Sequence, residues 1–348
     1  QHTRIFEQWV ILIPNVVVMD AHNFNILLTS AGRKVWLVNA FKEAIKSLGI
    51  EGNIVVADMS QTAPAMYIAD KSSQVCRATD ARYVPELLKV CKDENVSLVI
   101  PLIDTELLVL AYNREQFAQA GTTVLISSPE VVKVTNDKRL THQFLRDRGF
   151  DTPEILNLDR LSKDSVRYPM FLKPAMGAAS VGAARVDSEE ELMVLLQSVE
   201  EPILQEHIEG QEFTLDILVD FEGTVRCVVP RKRLEVRAGE ANKTVTAKDR
   251  RIMDVGKRLM ESLPGVSGPI TVQGFLVPDG RFVITDVNPR FGSGVPVALK
   301  AHADYPKWII ELALGNDPIT PFDEWEDGVL MMRYEEAVFL HTEWTSCL

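Results

Sequence analysis

The strongest fold signal in this chain is the stretch Gln273-Gly-Phe-Leu-Val-Pro-Asp-Gly-Arg-Phe-Val-Ile-Thr-Asp-Val-Asn-Pro-Arg-Phe-Gly-Ser-Gly294. Its Pro-Asp-Gly segment, residues 278–280, is a turn signal between two apolar runs, so the stretch predicts two strands joined as a hairpin. Side chains along a strand alternate between its two faces, and the second strand therefore carries Asp286 and Asn288 on one face. Gln273, on the partner strand, can face them across the ladder.

This group of oxygen-bearing side chains predicts a metal site. Carboxylate and amide oxygens suit Mg²⁺, which commonly bridges one or two carboxylates to the phosphates of a nucleotide. Arg290 follows the pair Asp286 and Asn288 closely and adds a cation that suits a phosphate. The sequence therefore favours a site for Mg²⁺ and a phosphate on a rigid hairpin. The alternative is a surface hairpin whose polar face is solvated.

Composition limits the classes of function. The 348 residues are enough for two or three domains. The formal net charge of −12 argues against a nucleic-acid partner reached through bulk electrostatics. The four cysteines are scattered, with no Cys-x-x-Cys pair, which predicts a reduced, cytoplasmic protein without a disulfide framework or zinc site. No stretch is long and apolar enough for a membrane span, so no membrane partner is expected.

The N-terminal segment is expected to lie outside the fold. The apolar run from Trp9 to Met19 contains Pro14 and lacks the strongly basic start and small-residue cleavage site of a secretory signal. We therefore predict that residues 1–24 are an extension, with Met19 as a candidate native start.

Strand and helix patterns alternate from residue 25 to residue 127. Short apolar runs predict strands at 25–29, 53–58, 96–101 and 123–127. Apolar residues at helical spacing predict helices at 35–48, 83–94 and 107–120. Such alternation predicts a parallel, doubly wound sheet, which binds ligands at the carboxyl ends of its strands.

Two features of this region bear on its ligand. The loop after the first strand, Ser30-Ala-Gly-Arg-Lys34, lacks the Gly-x-Gly-x-x-Gly pattern, which disfavours a NAD-type oxidoreductase. Asp104 and Glu106 lie just beyond the third predicted strand. They suit either a ligand site or a helix N-terminus, where the helix dipole favours acidic side chains, and the sequence leaves both interpretations open.

Two lysines are placed for phosphate binding. Lys138 lies in the first turn of a helix predicted over 137–149, although cations stabilise helix C-termini, so its position favours a ligand role. Lys173 ends a predicted strand and precedes the small-residue loop 175–182, Ala-Met-Gly-Ala-Ala-Ser-Val-Gly. Small residues let backbone N–H groups approach a phosphate, and the lysine adds a point charge. The alternative for the loop is a flexible hairpin.

These motifs, in this order, resemble the ATP-grasp superfamily. Asp-Val-Asn-Pro-Arg at 286–290 is similar to the metal-binding strand in the halves of the carbamoyl phosphate synthetase large subunit, where Glu-x-Asn-Pro-Arg follows a Gln on the neighbouring strand. Asp286 stands where Glu is usual, and its shorter side chain puts a second, bridging metal in doubt. Thr-Ser-Ala-Gly-Arg at 29–33 and Ile-Asp-Thr-Glu-Leu-Leu at 103–108 resemble the synthetase-like proteins that have a single ATP-grasp unit.

The resemblance implies a fold and its domains. Residues 25–127 would form a Rossmann-like pre-ATP-grasp domain, and residues 128–335 an ATP-grasp fold. The latter would comprise a lid at about 160–210 and a C-terminal antiparallel-sheet subdomain. Residues 336–348 would be a tail. The overall class is therefore α/β followed by α+β.

The resemblance also implies a nucleotide site between the lid and the hairpin of residues 273–290, which carries the predicted metal ligands and is called the metal hairpin below. Mg²⁺, with Mn²⁺ as an alternative, would lie on Gln273, Asp286 and Asn288. The residues implied at ATP are Lys138, Lys173, Gly177, Ser180, Val181, Gly182, Glu206, His207, Ile208, Glu212 and Gln273. Among these, residues 206–208 would read the adenine edge through their backbone, and the Glu212 carboxylate would accept hydrogen bonds from the ribose hydroxyls.

The implied activity is that of a carboxylate–amine ligase. The γ-phosphoryl group of ATP would move to a small-molecule carboxylate, and an amine would attack the acylphosphate. Lys173, Arg237 and Arg290 would be the catalytic cations, because this chemistry depends on positioning and electrostatics. Closure of the lid loop, residues 177–182, would exclude water from the intermediate.

Other functions remain as alternatives. One is a carbamoyl phosphate synthetase-like subunit of a split enzyme, since the large subunit has two ATP-grasp halves and this chain has one. Another is a non-catalytic, ATP-binding regulatory protein. The sequence leaves the oligomeric state open, because Trp308-Ile-Ile310 suits either a homodimer contact or, more commonly, a core.

Overall fold

The computed structural model describes residues 23–158, 167–177, 181–237, 239–318 and 323–341. Most of the predicted N-terminal extension, part of the predicted lid and Ser180 lie outside these ranges. Phe24, which the sequence analysis assigned to the extension, is fully buried against the first sheet.

The first sheet has five parallel strands in the order β3-β2-β1-β4-β5. The strands are β1 (Asn25–Thr29), β2 (Ile54–Asp58), β3 (Lys71–Gln74), β4 (Val96–Pro101) and β5 (Thr123–Val124). The helices are α1 (Val35–Leu48), α2 (Pro64–Ile68), α3 (Tyr83–Asp93) and α4 (Asp104–Gln119). Strands β1 and β2 are buried along their whole length, which explains their continuous apolar runs. The predicted Rossmann-like arrangement is confirmed.

Two details of this sheet differ from the sequence prediction. Strand β3, with the sequence Lys-Ser-Ser-Gln, was not predicted, because it is an exposed edge strand with no apolar pattern. Helix α4 begins at Asp104, three residues before the predicted start at Leu107. Its first turn is polar, so the apolar periodicity appears only later in the sequence.

A four-stranded antiparallel sheet forms the lid, in the order β6-β9-β7-β8. Its strands are β6 (Ile155–Leu156), β7 (Met170–Pro174), β8 (Ala184–Val186) and β9 (Pro202–Glu206). Three further helices are α5 (Pro129–Asn136), α6 (Lys138–Asp147) and α7 (Glu189–Leu196). Helix α7 is capped by Ser188, whose hydroxyl accepts a hydrogen bond from Glu191 N at 3.3 Å. The lid has a small core of its own, which includes Leu172 and Leu204.

The largest sheet has six antiparallel strands, in the order β14-β13-β10-β11-β12-β15. They are β10 (Gln211–Val219), β11 (Val225–Arg237), β12 (Glu240–Thr246), β13 (Gly268–Leu276), β14 (Phe282–Asn288) and β15 (Leu330–Met332). The remaining helices are α8 (Arg250–Glu261), α9 (Pro296–Lys300) and α10 (Tyr305–Ala313). The hairpin predicted from the opening stretch is the pair β13–β14.

One core joins the first sheet to the largest sheet. It includes Leu28 and Phe41 from the N-terminal region together with Val272 and Phe291 from the C-terminal region. The rings of Phe41 and Phe291 meet edge to face, with centroids 6.3 Å apart and planes at 82°. Because Phe291 directly follows Arg290, this packing fixes the end of the metal hairpin against the first domain.

Two short helices follow the hairpin, with a break between them. Helix α9 ends at Lys300 and α10 begins at Tyr305, with His302 between them in the left-handed region at φ 72°. Trp308, Ile309 and Ile310 are buried in the common core. Their apolar character is therefore explained by packing within the chain.

A β-bulge at Thr285 sets the two faces of the metal hairpin. Gln273 pairs with Asp286, but Gly274 pairs with Ile284, so Thr285 is an extra residue on β14. Ile284 consequently faces the core, although it lies two positions before Asp286 and would share its face in a regular strand.

None of the helices in the described part of the chain has the length and apolar character that crossing a membrane requires.

Candidate nucleotide and metal site

A cleft of about 960 Å³ lies between the lid, the largest sheet and the carboxyl end of the first sheet. The predicted site residues that line it are Lys138, Lys173, Gly177, Val181, Glu206, His207, Ile208, Glu212, Gln273, Asp286, Asn288 and Arg290. They come from elements as distant in sequence as α6 and the end of β14. A volume of this size suits a nucleotide together with a small substrate.

The floor of the cleft is one face of the largest sheet. Strand register aligns Asp286 with Gln273, Gln273 with Thr214, and Thr214 with Arg231. Neighbouring strands lie about 5 Å apart, so this row carries polar groups across four strands. The metal-hairpin residues therefore lie at one side of the floor and the arginine at the other.

The predicted metal ligands lie together, as the alternation required. Asn288 Nδ2 donates a hydrogen bond to Asp286 Oδ2 at 3.2 Å, and both residues are half-buried in the cleft. No cluster of three or more His, Cys, Asp or Glu side chains suited to a metal occurs in the described ranges. The donor set is one carboxylate plus amide oxygens, which fits a hard cation whose other ligands are phosphate oxygens and water.

Lys173 is a buried cation of the site, with 7% of the residue exposed. Its Nζ donates to the Thr285 carbonyl, the bulged residue, at 3.1 Å. Burial lowers the pKa of Lys173 to about 8; the Asp286 carboxylate opposes this shift and Lys138 adds to it. The bulge therefore supplies a backbone acceptor that holds this lysine beside the predicted metal ligands.

Lys138 is the first residue of α6, where Asp137 caps the helix by accepting from Arg139 N at 2.8 Å. Its Nζ donates to the Gly177 carbonyl of the lid loop at 2.9 Å, and its backbone N–H donates to the Ala175 carbonyl, also at 2.9 Å. The lysine is thus directed toward the loop and not toward the helix, which explains a cation at a helix N-terminus.

The lid loop is only partly described. Gly177 and Val181 line the cleft, whereas Ser180 lies outside the described residues. Gly182 has a left-handed φ of 74° and lies near Pro174, but it is not among the residues that line the cleft. A direct nucleotide contact by Gly182 or Ser180 therefore stays a prediction.

The predicted adenosine end is built from β9, the following loop and β10. Glu206, His207 and Ile208 line the cleft, and His207 Nδ1 is buried without a hydrogen-bond partner among the described residues. Such an unpartnered atom is consistent with a position that a ligand or water completes. Glu212 also lines the cleft, but its carboxylate accepts from Arg233 Nη1 at 2.7 Å.

Arg290, just after β14, forms an ion pair with Asp104 at the start of α4. Its Nε and Nη2 donate to the two carboxylate oxygens of Asp104, at 2.8 and 2.7 Å. Lys34 lies in the same part of the cleft and donates to the Leu102 carbonyl at 3.1 Å. Burial, followed by the charge of Arg290, lowers the pKa of Lys34. Lys34 and Arg290 therefore lie together at this end of the cleft, near the carboxylates of Asp104 and Glu240.

Two segments of the chain match models of known protein families. Residues 26–125 match the family model described as PylC-like, N-terminal domain. Residues 135–294 match the family model described as ATP-grasp domain. This second segment of the chain is an ATP-grasp domain. The predicted resemblance is thereby confirmed, and the metal hairpin, Lys138 and Lys173 all lie inside the matched ATP-grasp region.

Several curated proteins are similar in sequence to this ATP-grasp chain. A 3-methyl-D-ornithine–L-lysine ligase from Methanosarcina acetivorans is 26% identical over 265 residues, covering 75% of this chain and 67% of the relative. An arginine-specific carbamoyl phosphate synthase large chain from Geobacillus stearothermophilus is 25% identical, covering 62% of this chain and 22% of the relative. D-alanine–D-alanine ligase A from Bacillus cereus is 28% identical, with 38% and 50% coverage. The chain thus spans between about a fifth and two thirds of the length of these relatives.

Solved structures share the fold at low identity. The biotin carboxylase domain of Hydrogenobacter thermophilus 2-oxoglutarate carboxylase gives a TM-score of 0.69 at 17% identity, covering 88% of this chain and 73% of that one. N5-carboxyaminoimidazole synthetase from Staphylococcus aureus gives 0.67 at 14% identity, covering 87% and 80%. These comparisons confirm the predicted fold class, a parallel-sheet domain followed by an ATP-grasp fold.

The structure separates the two acidic residues that the sequence left open. Glu106 is fully buried and accepts hydrogen bonds from Leu102 N at 2.7 Å, Ile103 N at 3.1 Å, Ser30 Oγ at 2.8 Å and the Tyr83 hydroxyl. Its role in the ATP-grasp chain is therefore to hold the loop before α4. Asp104, by contrast, lines the cleft.

Two arginines of β11, Arg231 and Arg237, also differ in their position relative to the cleft. Arg237, predicted as catalytic, is 76% exposed in its side chain, pairs with Glu235 at 2.8 Å and is absent from the cleft lining. Its catalytic role stays a prediction without support from its position. Arg231, which the sequence left unassigned, is buried in the floor of the cleft and donates to Asp216 at 2.8 Å.

Arg333 is a residue that sequence reasoning missed, since it lies in a segment without a motif. It follows β15, and its guanidinium donates to the Ser293 carbonyl and to the Glu240 carboxylate. Ser293 and Glu240 both line the cleft. The C-terminal segment therefore supports the loop that follows Arg290, although the ATP-grasp family match ends at residue 294.

Proposed function

We propose that this chain is an ATP- and Mg²⁺-dependent ligase that activates a small carboxylate as an acylphosphate for attack by an amine. The observation that carries the proposal is the convergence of Lys138, Lys173, Asp286, Asn288 and Arg290 on one cleft. Binding of a nucleotide alone requires the lysines and the metal ligands. Arg290 adds a cation where a transferred phosphoryl group and a carboxylate would meet.

The nucleotide would lie along the floor of the cleft. Residues 206–208 would contact adenine through the backbone, and Glu212 would accept from the ribose while Arg233 holds it in place. Lys138 and Lys173 would contact the triphosphate. Asp286 and Asn288, with Gln273 beside them, would hold Mg²⁺, or Mn²⁺ in its place, and the bound metal would neutralise phosphate charge during transfer.

The chemistry needs no nucleophilic side chain. A carboxylate oxygen of the substrate attacks the γ-phosphorus of ATP, the bond to the β,γ-bridging oxygen breaks, and ADP leaves. The amine then attacks the acyl carbon, loses a proton and expels inorganic phosphate. The protein contributes orientation and fixed positive charge, while the lid keeps water away from the acylphosphate.

The family match favours an ATP-dependent enzyme over a NAD-type oxidoreductase. The lysine ligase and D-alanine ligase relatives carry ligase names, which supports amino-acid-like substrates for this chain. A subunit of a split carbamoyl phosphate synthetase and a regulatory ATP-binding protein remain as rivals. The regulatory rival does not explain why Arg290 is held in the cleft by an ion pair.

The decisive experiment measures ADP release from ATP and Mg²⁺ with a panel of amino acids and other small carboxylates, each with and without amines. We expect ADP release with a restricted set of carboxylates, and its loss in Asp286→Ala and Arg290→Ala. Asp279→Ala, on the same hairpin but outside the cleft lining, is the matched control. Tight ATP binding without turnover across the panel would favour the regulatory rival, and bicarbonate-specific turnover would favour the synthetase subunit.

A further inference from the structure

The guanidinium of Arg290 is engaged along one edge. It has five N–H donors, of which two are directed to the Asp104 carboxylate and one, on Nη1, to the Phe291 carbonyl at 3.3 Å. Among the contacts of the described residues, one N–H on each terminal nitrogen is left over. These two groups form a fork that suits a planar carboxylate or a phosphoryl group.

Asp104 is itself held rigidly from the other side. It is the first residue of α4, and the loop that leads into this helix is fixed by Glu106, which accepts from Leu102 N at 2.7 Å and Ile103 N at 3.1 Å. The side chains of Asp104 and Arg290 are only 19% and 17% exposed. The two shorter hydrogen bonds of Arg290 are therefore made to the N-terminal domain, and the contact with the Phe291 carbonyl is longer.

We infer that Asp104 is a positioning residue that directs the free fork of Arg290 at the group being transferred; this inference rests on the proposed ligase function. Its carboxylate also cancels the charge of Arg290. The site then binds free anions in solution weakly. It binds a substrate carboxylate or acylphosphate more tightly when that group meets the fork in the correct geometry. Asp104 thus makes the site select a correctly oriented substrate group over anions that carry only the same negative charge.

The test is Asp104→Asn, which keeps the size of the side chain and removes its charge. We expect kcat for carboxylate-dependent ADP release to fall by roughly 10- to 100-fold, because a small misplacement of an orienting group has effects of this order. The KM for ATP should change little. Inorganic phosphate should bind the ADP- and Mg²⁺-loaded protein several-fold more tightly by calorimetry, because Arg290 is no longer neutralised.

The matched control is Asp151→Asn, which breaks a similar pair with Arg281, at 3.0 Å, outside the cleft lining. It should change neither kcat nor phosphate affinity. Wild-type behaviour of Asp104→Asn in both measurements would overturn the inference, and the Asp104–Arg290 ion pair would then only link the two domains. If Asp104→Asn fails to fold, Asp104→Glu decides: slower turnover with phosphate affinity near wild type supports positioning, and wild-type turnover refutes it. Lack of turnover in the wild type would reject the ligase function, while phosphate affinity would still test the inference.

Discussion

A Cβ atom added to Gly294 would lie 2.2 Å from Cζ of Arg231. The backbone of the loop that follows Arg290 thus rests directly on the guanidinium that pairs with Asp216, and both members of that pair are almost fully buried. Burial raises the pKa of Asp216, and Arg231 opposes the shift. The glycine is required because a buried ion pair occupies the space of its side chain.

Gly294→Ala should therefore destabilise the protein by about 3 kcal/mol, since the guanidinium must move and leave a buried carboxylate poorly paired. Urea unfolding measures the loss. Ser293→Ala, at the neighbouring position, should cost much less because the contact of Ser293 with Arg333 uses its backbone carbonyl. Equal stabilities of the two variants would contradict the steric explanation.

Asp286→Asn should raise the Mg²⁺ concentration needed for half-maximal nucleotide binding by roughly 10- to 100-fold, an effect typical of altered metal sites. The change removes the only carboxylate among the three predicted ligands and leaves the hairpin backbone intact. Titration of Mg²⁺ at fixed ATP measures it. Asp279→Asn, at the turn of the same hairpin, serves as the control, and an unchanged Mg²⁺ requirement in Asp286→Asn would place the metal elsewhere.

Lys173→Met should alter the pH dependence of stability in metal-free buffer. Because burial lowers the pKa of Lys173 from 10.5 to about 8, the unfolded chain binds more protons between these pH values, and this group makes the wild type more stable as pH rises. The cost of burying the charge is thus fully present below pH 8.

We therefore expect the stability of Lys173→Met relative to wild type to be highest at neutral pH. The advantage should shrink by up to roughly 3 kcal/mol as pH rises toward 10.5. Thermal or urea unfolding with EDTA between pH 7 and 10 measures the difference. The variant should bind ATP weakly at every pH. A difference that stays constant with pH would show that Lys173 does not titrate as described.

Glu106→Gln should damage folding without changing the chemistry of the cleft. The amide would place N–H groups against the donors that now meet a carboxylate, so we expect a loss of about 3 kcal/mol. Glu115→Gln, on the exposed face of α4, should be nearly neutral. If the folded fraction of Glu106→Gln lost ATP affinity while the protein kept its stability, Glu106 would have to contact the ligand.

Much of the site could be predicted because its motifs are local. Alternation placed Asp286 and Asn288 together, and the cation at a helix N-terminus indicated that Lys138 belongs to the site, where it lines the cleft. The functions of Asp104 and Glu106 could not be separated in this way. Both are acids in one helix turn, and only their surroundings, a cleft for one and four donors for the other, distinguish them. Arg237 and Arg231 share a strand, and the sequence did not show which of them faces the floor.

The sequence by itself determined the parallel arrangement of the first domain, the hairpin at residues 273–294 and the resemblance to the superfamily, because periodicity, turn residues and short motifs are properties of neighbouring residues. Only the tertiary structure decided that Arg290 is held by Asp104, 186 residues away, that a bulge at Thr285 gives Lys173 its acceptor, and that Arg333 supports the loop at Ser293. Such contacts depend on how separate elements pack, and no local pattern of residues specifies the partner that a charged side chain meets in a shared, partly buried cleft.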